Sequence, residues 1–428
     1  MPDNVKDDNR PATAAEVLAQ HDFAKGLYES AVVKMGEVED LITGGYDVPK
    51  DVRDQKGVSI ATPVLPRAII ERIRQMMAIQ TATVRVVPLK TGDKEQETCD
   101  KIERWVRGAR QRTRYESKRD PDRDALFWYL LRGRADYEVR FLPDTAGKGA
   151  FPIQTLTDDP ATIFPVRGRS GILWYTKEYG IYARELRREL ERKGEPFEFL
   201  KDVDANDELS TVEYWDDAYY AAVVNVAAKD GKTDSHLVMS KKHKYGFIPL
   251  AEALCMDTPL ASAEWASQSV VGPVVSHIKQ VYILASKMAT GVNLFYYPLL
   301  YGVSPSGKPI IVDPYSPGEV QPLSPGTKLE VIPIQVNSSV LQQLLAFFKG
   351  EINLMTLPET AFGQEPTNLQ SGFAIAQVLN AVQSAVSDKL PQMQNAMADH
   401  SGNMLRLYKQ FGGGTGMDFA VPFDLESG

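Results

Sequence analysis

The sequence predicts an α+β fold rich in helix, and three observations point there. First, apolar residues recur every three or four positions in long stretches near both ends: Ile69, Ile70, Ile73, Met76 and Met77, and again Ile375, Leu379, Val382, Val386 and Leu390. That period puts each set on one helix face. Second, residues 136–240 hold short β-branched or alternating runs divided by Asp-Pro, Gly-rich and Asp-Gly turns, the pattern of antiparallel strands. Third, two apolar helical stretches, residues 262–290 and 340–354, flank a Pro- and Gly-punctuated insert. A chain of 428 residues is too long for one simple core, so two or more sub-domains are expected.

From the N-terminus, Thr13 and Glu16 have the spacing of a capping box, so a helix starts there and ends at Gly44-Gly45, where left-handed backbone is cheap. Pro66 starts a second helix. Residues 81–87 are rich in β-branched side chains and read as a strand. Residues 94–115 are helical, with Ile102, Trp105 and Val106 as a narrow apolar stripe. Asp120-Pro121 opens another helix, which Gly133 stops. Strands follow at 136–142, 151–157, 161–166 and 172–179, then a charged helix at 183–193, then a meander at 211–216, 219–227 and 235–240.

The helix over 262–290 is apolar nearly all round, so it must be buried, and a neighbouring copy is one way to bury it. Gly272-Pro273 should bend it. Residues 291–335 form a β-rich excursion, with runs at 310–312 and 329–334. After the helix over 340–354, Pro358, Gly363 and Pro366 impose a loop. Ser371 can cap a following helix, and Pro391 should kink it. GGGTG at 412–416 is a break, and a short apolar run follows at 419–423.

The net charge of −8 argues against tight gripping of nucleic acid, which uses many Lys and Arg to release counterions. Ordinary acidic solubility is the simpler account of that charge, which also fits a protein that DNA passes without sticking. Arg104, Arg107, Arg110, Arg112 and Arg114 form one basic cluster, readable as a contact for DNA or an acidic partner, or as a solvated helix face balanced by nearby Glu and Asp. Cys99 and Cys255 are far apart and lack a CxxC partner, so neither a disulfide framework nor a zinc site is implied, and a reducing cytoplasm is the simplest setting for synthesis. The first residues lack a basic segment followed by an apolar run, so no secretory signal is expected. The window 281–301 carries Lys287, Gly291, Asn293 and Pro298, which argues against a membrane span.

Catalytic signatures are weak. GVSPSGKP at 302–309 matches a phosphate-binding loop through Gly307 and Lys308, but Pro309 stands where Ser or Thr must hold magnesium. His21, His236, His243, His277 and His400 have no HExxH or HxH partner. The expectation is therefore no catalytic residue, no metal and no cofactor.

The run LPETAFG at 357–363, a short gap, SGFAIAQVL at 371–379 and a long helix with a proline together resemble the portal proteins of tailed bacteriophages. The order of elements over most of the chain resembles that family too. The resemblance implies an N-terminal helical arm (1–57), an α+β wing (58–258), a first stem helix (259–290), a small β-containing clip (291–337) and a second stem helix (338–356). A channel loop (357–370) and a kinked wing helix with a reduced or truncated crown (371–428) complete it. It implies a ring of twelve copies at the unique capsid vertex, through which double-stranded DNA is packaged and ejected. The implied partners are DNA, the terminase large subunit, then a head–tail adaptor, with major capsid and scaffold proteins around the ring and no membrane. The setting would be the virion, and the host cytoplasm during assembly. Glu359, Gln364, Glu365, Asn368 and Gln370 would edge the channel loop. Lys279 and Lys287 would touch phosphates weakly or be merely solvated, and Pro305, Lys308, Tyr315 and Glu319 would face clip partners. A nucleotide-dependent packaging or DNA-processing enzyme, or another head–tail structural component, are the alternatives.

Overall fold

A computed structural model describes residues 11–46, 49–53, 59–61, 64–79, 84–88, 90, 92–143, 145, 151–169, 171–227, 233–256, 267–296, 300–303, 309–311, 326, 328–331, 338–356, 386–387 and 389–412. The fold is mixed α+β. Two compact units divide the chain: unit 1 holds Met1–Met35, Arg74–Ser269 and Ser387–Gly428, and unit 2 holds Gly36–Ile73 and Val270–Val386.

In chain order the helices are α1 (Ala14–Thr43), α2 (Lys50–Arg53), α3 (Leu65–Ile79), α4 (Asp93–Ser117), α5 (Pro121–Arg132), α6 (Ala183–Lys193), α7 (Val275–Tyr296), α8 (Ser338–Met355) and α9 (Leu390–Phe411). The strands are β1 (Arg134–Phe141), β2 (Ile153–Leu156), β3 (Ile163–Gly168), β4 (Gly171–Tyr182), β5 (Glu208–Trp215), β6 (Tyr219–Ala227), β7 (Thr233–Lys242), β8 (Leu250–Leu254), β9 (Leu300–Val303), β10 (Pro309–Ile311) and β11 (Lys328–Val331).

Unit 1 is built on two antiparallel sheets, β2-β1-β8 and the meander β3-β4-β5-β6-β7. The start of α1 covers one face of the meander. Val17 packs with Val212, Tyr214, Ala221 and Val223, and Ala24, Tyr28 and Ala31 close around Phe164. The α1 start is a reciprocal capping box: Glu16 N–H donates to Thr13 Oγ1 at 3.2 Å, and Thr13 N–H donates to the Glu16 carboxylate at 2.9 Å. The opposite face carries α6, with Leu186 and Leu190 against Tyr175, Leu209 and Trp215. A further cluster joins Ala109 of α4, Val139 of β1, Ile153 of β2, and Met404 and Leu407 of α9. Gly133 ends α5 at φ +77, and a Cβ there would lie 2.2 Å from the Gln268 backbone, so only glycine fits that close approach.

Two expectations need correction. Residues 84–88 are not in a strand; Val86 N–H donates to the Glu103 carboxylate at 2.7 Å rather than to a strand partner. The expected long helix over 262–290 is not continuous where it is described. Residues 267–271 are non-helical, Gly272–Val274 is a 3₁₀ turn, and α7 begins after it. Pro273 therefore opens the helical segment instead of bending it, because a proline in a first turn removes only an N–H that would lack a helical partner anyway. Pro391 is in the first turn of α9, which starts at Leu390; residues 386–387 are helical and Lys389 is a turn, so helical backbone is interrupted just before this proline. Residues 371–385, where that helix was expected to begin, lie outside the described residues. The strand β8 was not anticipated; it pairs with β1 from more than a hundred residues away, and five residues give little periodicity to read.

Unit 2 contains α7, α8 and a small antiparallel sheet in the order β10-β9-β11, so the insert between the two helices is β-containing. The end of α1 and the segment 59–61 belong to the same unit. Tyr282 of α7 donates to the Leu41 carbonyl at 3.2 Å, and Ala61 N–H donates to Ser286 Oγ at 3.0 Å.

Candidate functional site

In unit 2, α7 and α8 pack together, with the His277 and Phe348 rings edge-on at 5.8 Å. On α7, Ile278, Val281, Tyr282 and Leu284 are buried, as its apolar sequence requires. On α8 the pattern differs. Ile352 is fully buried, yet Val340, Leu344 and Phe347 are 47 %, 41 % and 57 % exposed. Their spacing of four and three puts them on one stripe. Val292, near the end of α7, is 55 % exposed as well. Single exposed apolar residues are ordinary, but a row of large ones along one helix marks a contact surface.

The residues singled out on the sequence fall as follows. Lys279 Nζ is 2.9 Å from Glu37 Oε2 and 5.8 Å from the Tyr46 ring centre, so it has a carboxylate partner within its own unit. Lys287 is exposed on α7. Glu359, Gln364, Glu365, Asn368 and Gln370 of the expected channel loop lie outside the described residues, as do Pro305, Lys308, Tyr315 and Glu319. The flanks of GVSPSGKP are described: β9 ends at Val303, β10 begins at Pro309, and these two residues pair antiparallel. The segment thus closes a hairpin, whereas a phosphate loop needs a strand before it and a helix after it. In the arginine cluster, Arg110 pairs with Asp122 at 2.7 Å and Arg114 pairs with Asp120, so acids balance these two.

The sequence reading missed a buried charge network in unit 1. The strand β1 reads RADYEVRF, and its even-numbered residues, Arg134, Asp136, Glu138 and Arg140, share one face. Lys177 Nζ lies 3.0 Å from Glu138 Oε2 and also pairs with Asp158. Arg140 pairs with both Glu138 and Glu213. Glu213 further accepts from Tyr179, Tyr220 and Trp215 at 2.9, 3.0 and 3.2 Å. Burial pushes the Glu213 carboxyl up, but the Arg140 and Lys177 charges and the Arg140 and Trp215 hydrogen bonds outweigh it and hold it well below the usual range. Nearby, Arg134 Nε donates to Asp136 at 2.9 Å and its Nη2 donates to the Pro160 and Ile163 carbonyls. The available signal was the strict alternation of charged and apolar residues in β1.

His400 of α9 is fully enclosed. Its Nε2 is 3.0 Å from Thr155 Oγ1, and its ring stacks on Tyr137. Burial, and then the Arg110 charge, push its pKa down to about 3. It is therefore neutral near pH 7. Among the described residues, no group of three or more His, Cys, Asp or Glu side chains is arranged to hold a metal ion. No helix among them is long and apolar enough to cross a membrane. No protein-family model matches the chain, and no curated protein sequence matches it.

Proposed function

We propose that the chain is the subunit of a portal ring of a tailed bacteriophage, a conduit for double-stranded DNA and not an enzyme. The observation that carries this reading is the solvent-facing stripe of Val340, Leu344 and Phe347 on a helix that pairs with α7 across a β-containing insert. Covering each of these half-exposed side chains with a neighbour contributes on the order of 1 kcal/mol. A head-to-tail contact repeated around an axis covers the stripe in every copy and closes into a ring. In this reading α7 and α8 are the two stem helices, the three-stranded sheet belongs to the clip, and unit 1 is the wing. Twelve copies follow the family pattern. The terminase large subunit, and later the head–tail adaptor, dock on the clip, while capsid and scaffold proteins surround the ring.

The mechanism is mechanical and electrostatic. A net charge of −8 per chain leaves DNA little to bind, which favours sliding over holding. Glu359, Gln364, Glu365, Asn368 and Gln370 form the polar edge that passes the duplex, since carboxylates and amides do not grip phosphate. Lys287 is the better of the two stem lysines for a weak phosphate contact, because Lys279 already holds Glu37. Negative-stain images of the purified protein, averaged down the axis, test the reading. Rings with an axial hole wide enough for duplex DNA support it; compact particles without a hole refute it.

A further inference from the structure

Unit 1 carries a groove of about 360 Å³, lined by residues of α3, α4, α5 and the first turns of α9, that has no role in the conduit. Its floor is apolar and soft. Met77, Leu126 and Met393 are buried there, and Met397 is half-buried beside them. Its rim is cationic: Arg74, Arg110, Arg114 and Arg123 stand against Asp120 and Asp122. Four guanidinium groups and two carboxylates line the groove, in a chain whose net charge is −8.

We propose that this groove is a docking site for an acidic peptide segment of a partner protein, anchored by an aromatic or branched apolar side chain. Methionine floors adapt to the shape of whatever apolar group enters, because the thioether chain is flexible and polarisable. The rim supplies the complementary charge. A nucleic acid backbone has no use for the methionine floor. A small single anion is disfavoured too, because Arg110 and Arg114 are already engaged with Asp122 and Asp120, and the positive charge is spread over three helices. A segment carrying several carboxylates spans that spread. The proposal does not depend on ring formation, so its failure and the failure of the portal reading are separate results.

The probe is a labelled synthetic peptide absent from this chain, EDFAGPFDAG, chosen because it has three side-chain carboxylates, no basic residue and two phenylalanines. Fluorescence anisotropy with the full chain should show saturable binding below about 100 μM. Replacing the three acids of the peptide by amides, or its two phenylalanines by serine, should each weaken binding at least tenfold. Arg123→Glu in the protein should do the same, with an unchanged melting curve, since that side chain is exposed on the rim. Met397→Ser should weaken it less. Added salt should reduce affinity. The proposal is overturned if the peptide fails to saturate at about 1 mM, since even that weak a contact would be seen there. It is also overturned if the arginine-reversed protein binds equally well, or if a duplex oligonucleotide of matched charge displaces the peptide.

Discussion

Lys177 on β4 and Glu138 on β1 form an ion pair at 3.0 Å with only 4 % and 1 % of their side chains exposed, and it ties the five-stranded sheet to the three-stranded one. A pair so enclosed is held by its further partners: Asp158 for the lysine, Arg140 for the glutamate. Its geometry is costly to break from one side, because the remaining charge is left without water.

Glu138→Gln should therefore cost about 3–5 kcal/mol in chemical denaturation, the range for a buried pair broken on one side. Glu138→Gln with Lys177→Met should cost less than the sum of the single changes. Additive effects in the double-mutant cycle would mean that the two side chains do not meet.

Acid should destabilise the fold in two separable windows. The His400 pKa is depressed from an ordinary 6.5 to about 3, so the unfolded chain binds the proton first. The His400 contribution is full above about pH 6.5 and falls as pH drops towards 3, while Asp136, whose burial raises its carboxyl to about 7, works the other way alike with or without His400. Glu213, also depressed, keeps its contribution in full above its ordinary 4.5 and loses it only as pH falls below that. Between pH 6.5 and 4.5 the His400→Gln variant should escape about 2–3 kcal/mol of the loss seen in the native protein, measured by urea midpoints. His21, depressed by burial, adds a loss that both proteins share. Parallel curves for the two proteins across that window would contradict the enclosure of His400.

Gly133→Ala should be among the most damaging single-methyl additions. It meets both a left-handed backbone at φ +77 and the Gln268 backbone at 2.2 Å, so a loss of at least about 2 kcal/mol is expected. Gly194→Ala is the control. That glycine has φ +70 but no atom within 4 Å, so only the backbone term applies and the loss should be about 1 kcal/mol.

Much of the fold was legible because local chemistry and tertiary context agreed. Thr13 and Glu16 marked the start of α1, Gly44 its end and Gly133 the end of α5, and the meander through β5, β6 and β7 followed its turn residues. What was not legible depended on distant partners. The strand β8 exists through β1, and nothing local in LAEAL demands it. Pro273 was read as a bend because a proline in an apolar helical run looks the same whether it interrupts a helix or opens one. The charged face of β1 is buried only because Lys177 and Glu213, from β4 and β5, come to meet it. For the candidate site, helical periodicity found α7 and α8 but could not say that α8 leaves Val340, Leu344 and Phe347 uncovered.

If the loop over 358–368 edges a channel, its removal should leave assembly intact and impair DNA packaging or retention in particles. Loss of rings in that variant would make the segment an interface element instead.

The stripe on α8 is the point on which the portal reading turns, and the mass of the purified protein in solution tests it. One chain weighs 47.5 kDa. Light scattering behind a sizing column should give a large multiple of that mass, and Leu344→Glu with Phe347→Glu should return it to a single folded chain with unchanged circular dichroism. A native protein that remains one folded chain at high concentration would contradict the ring.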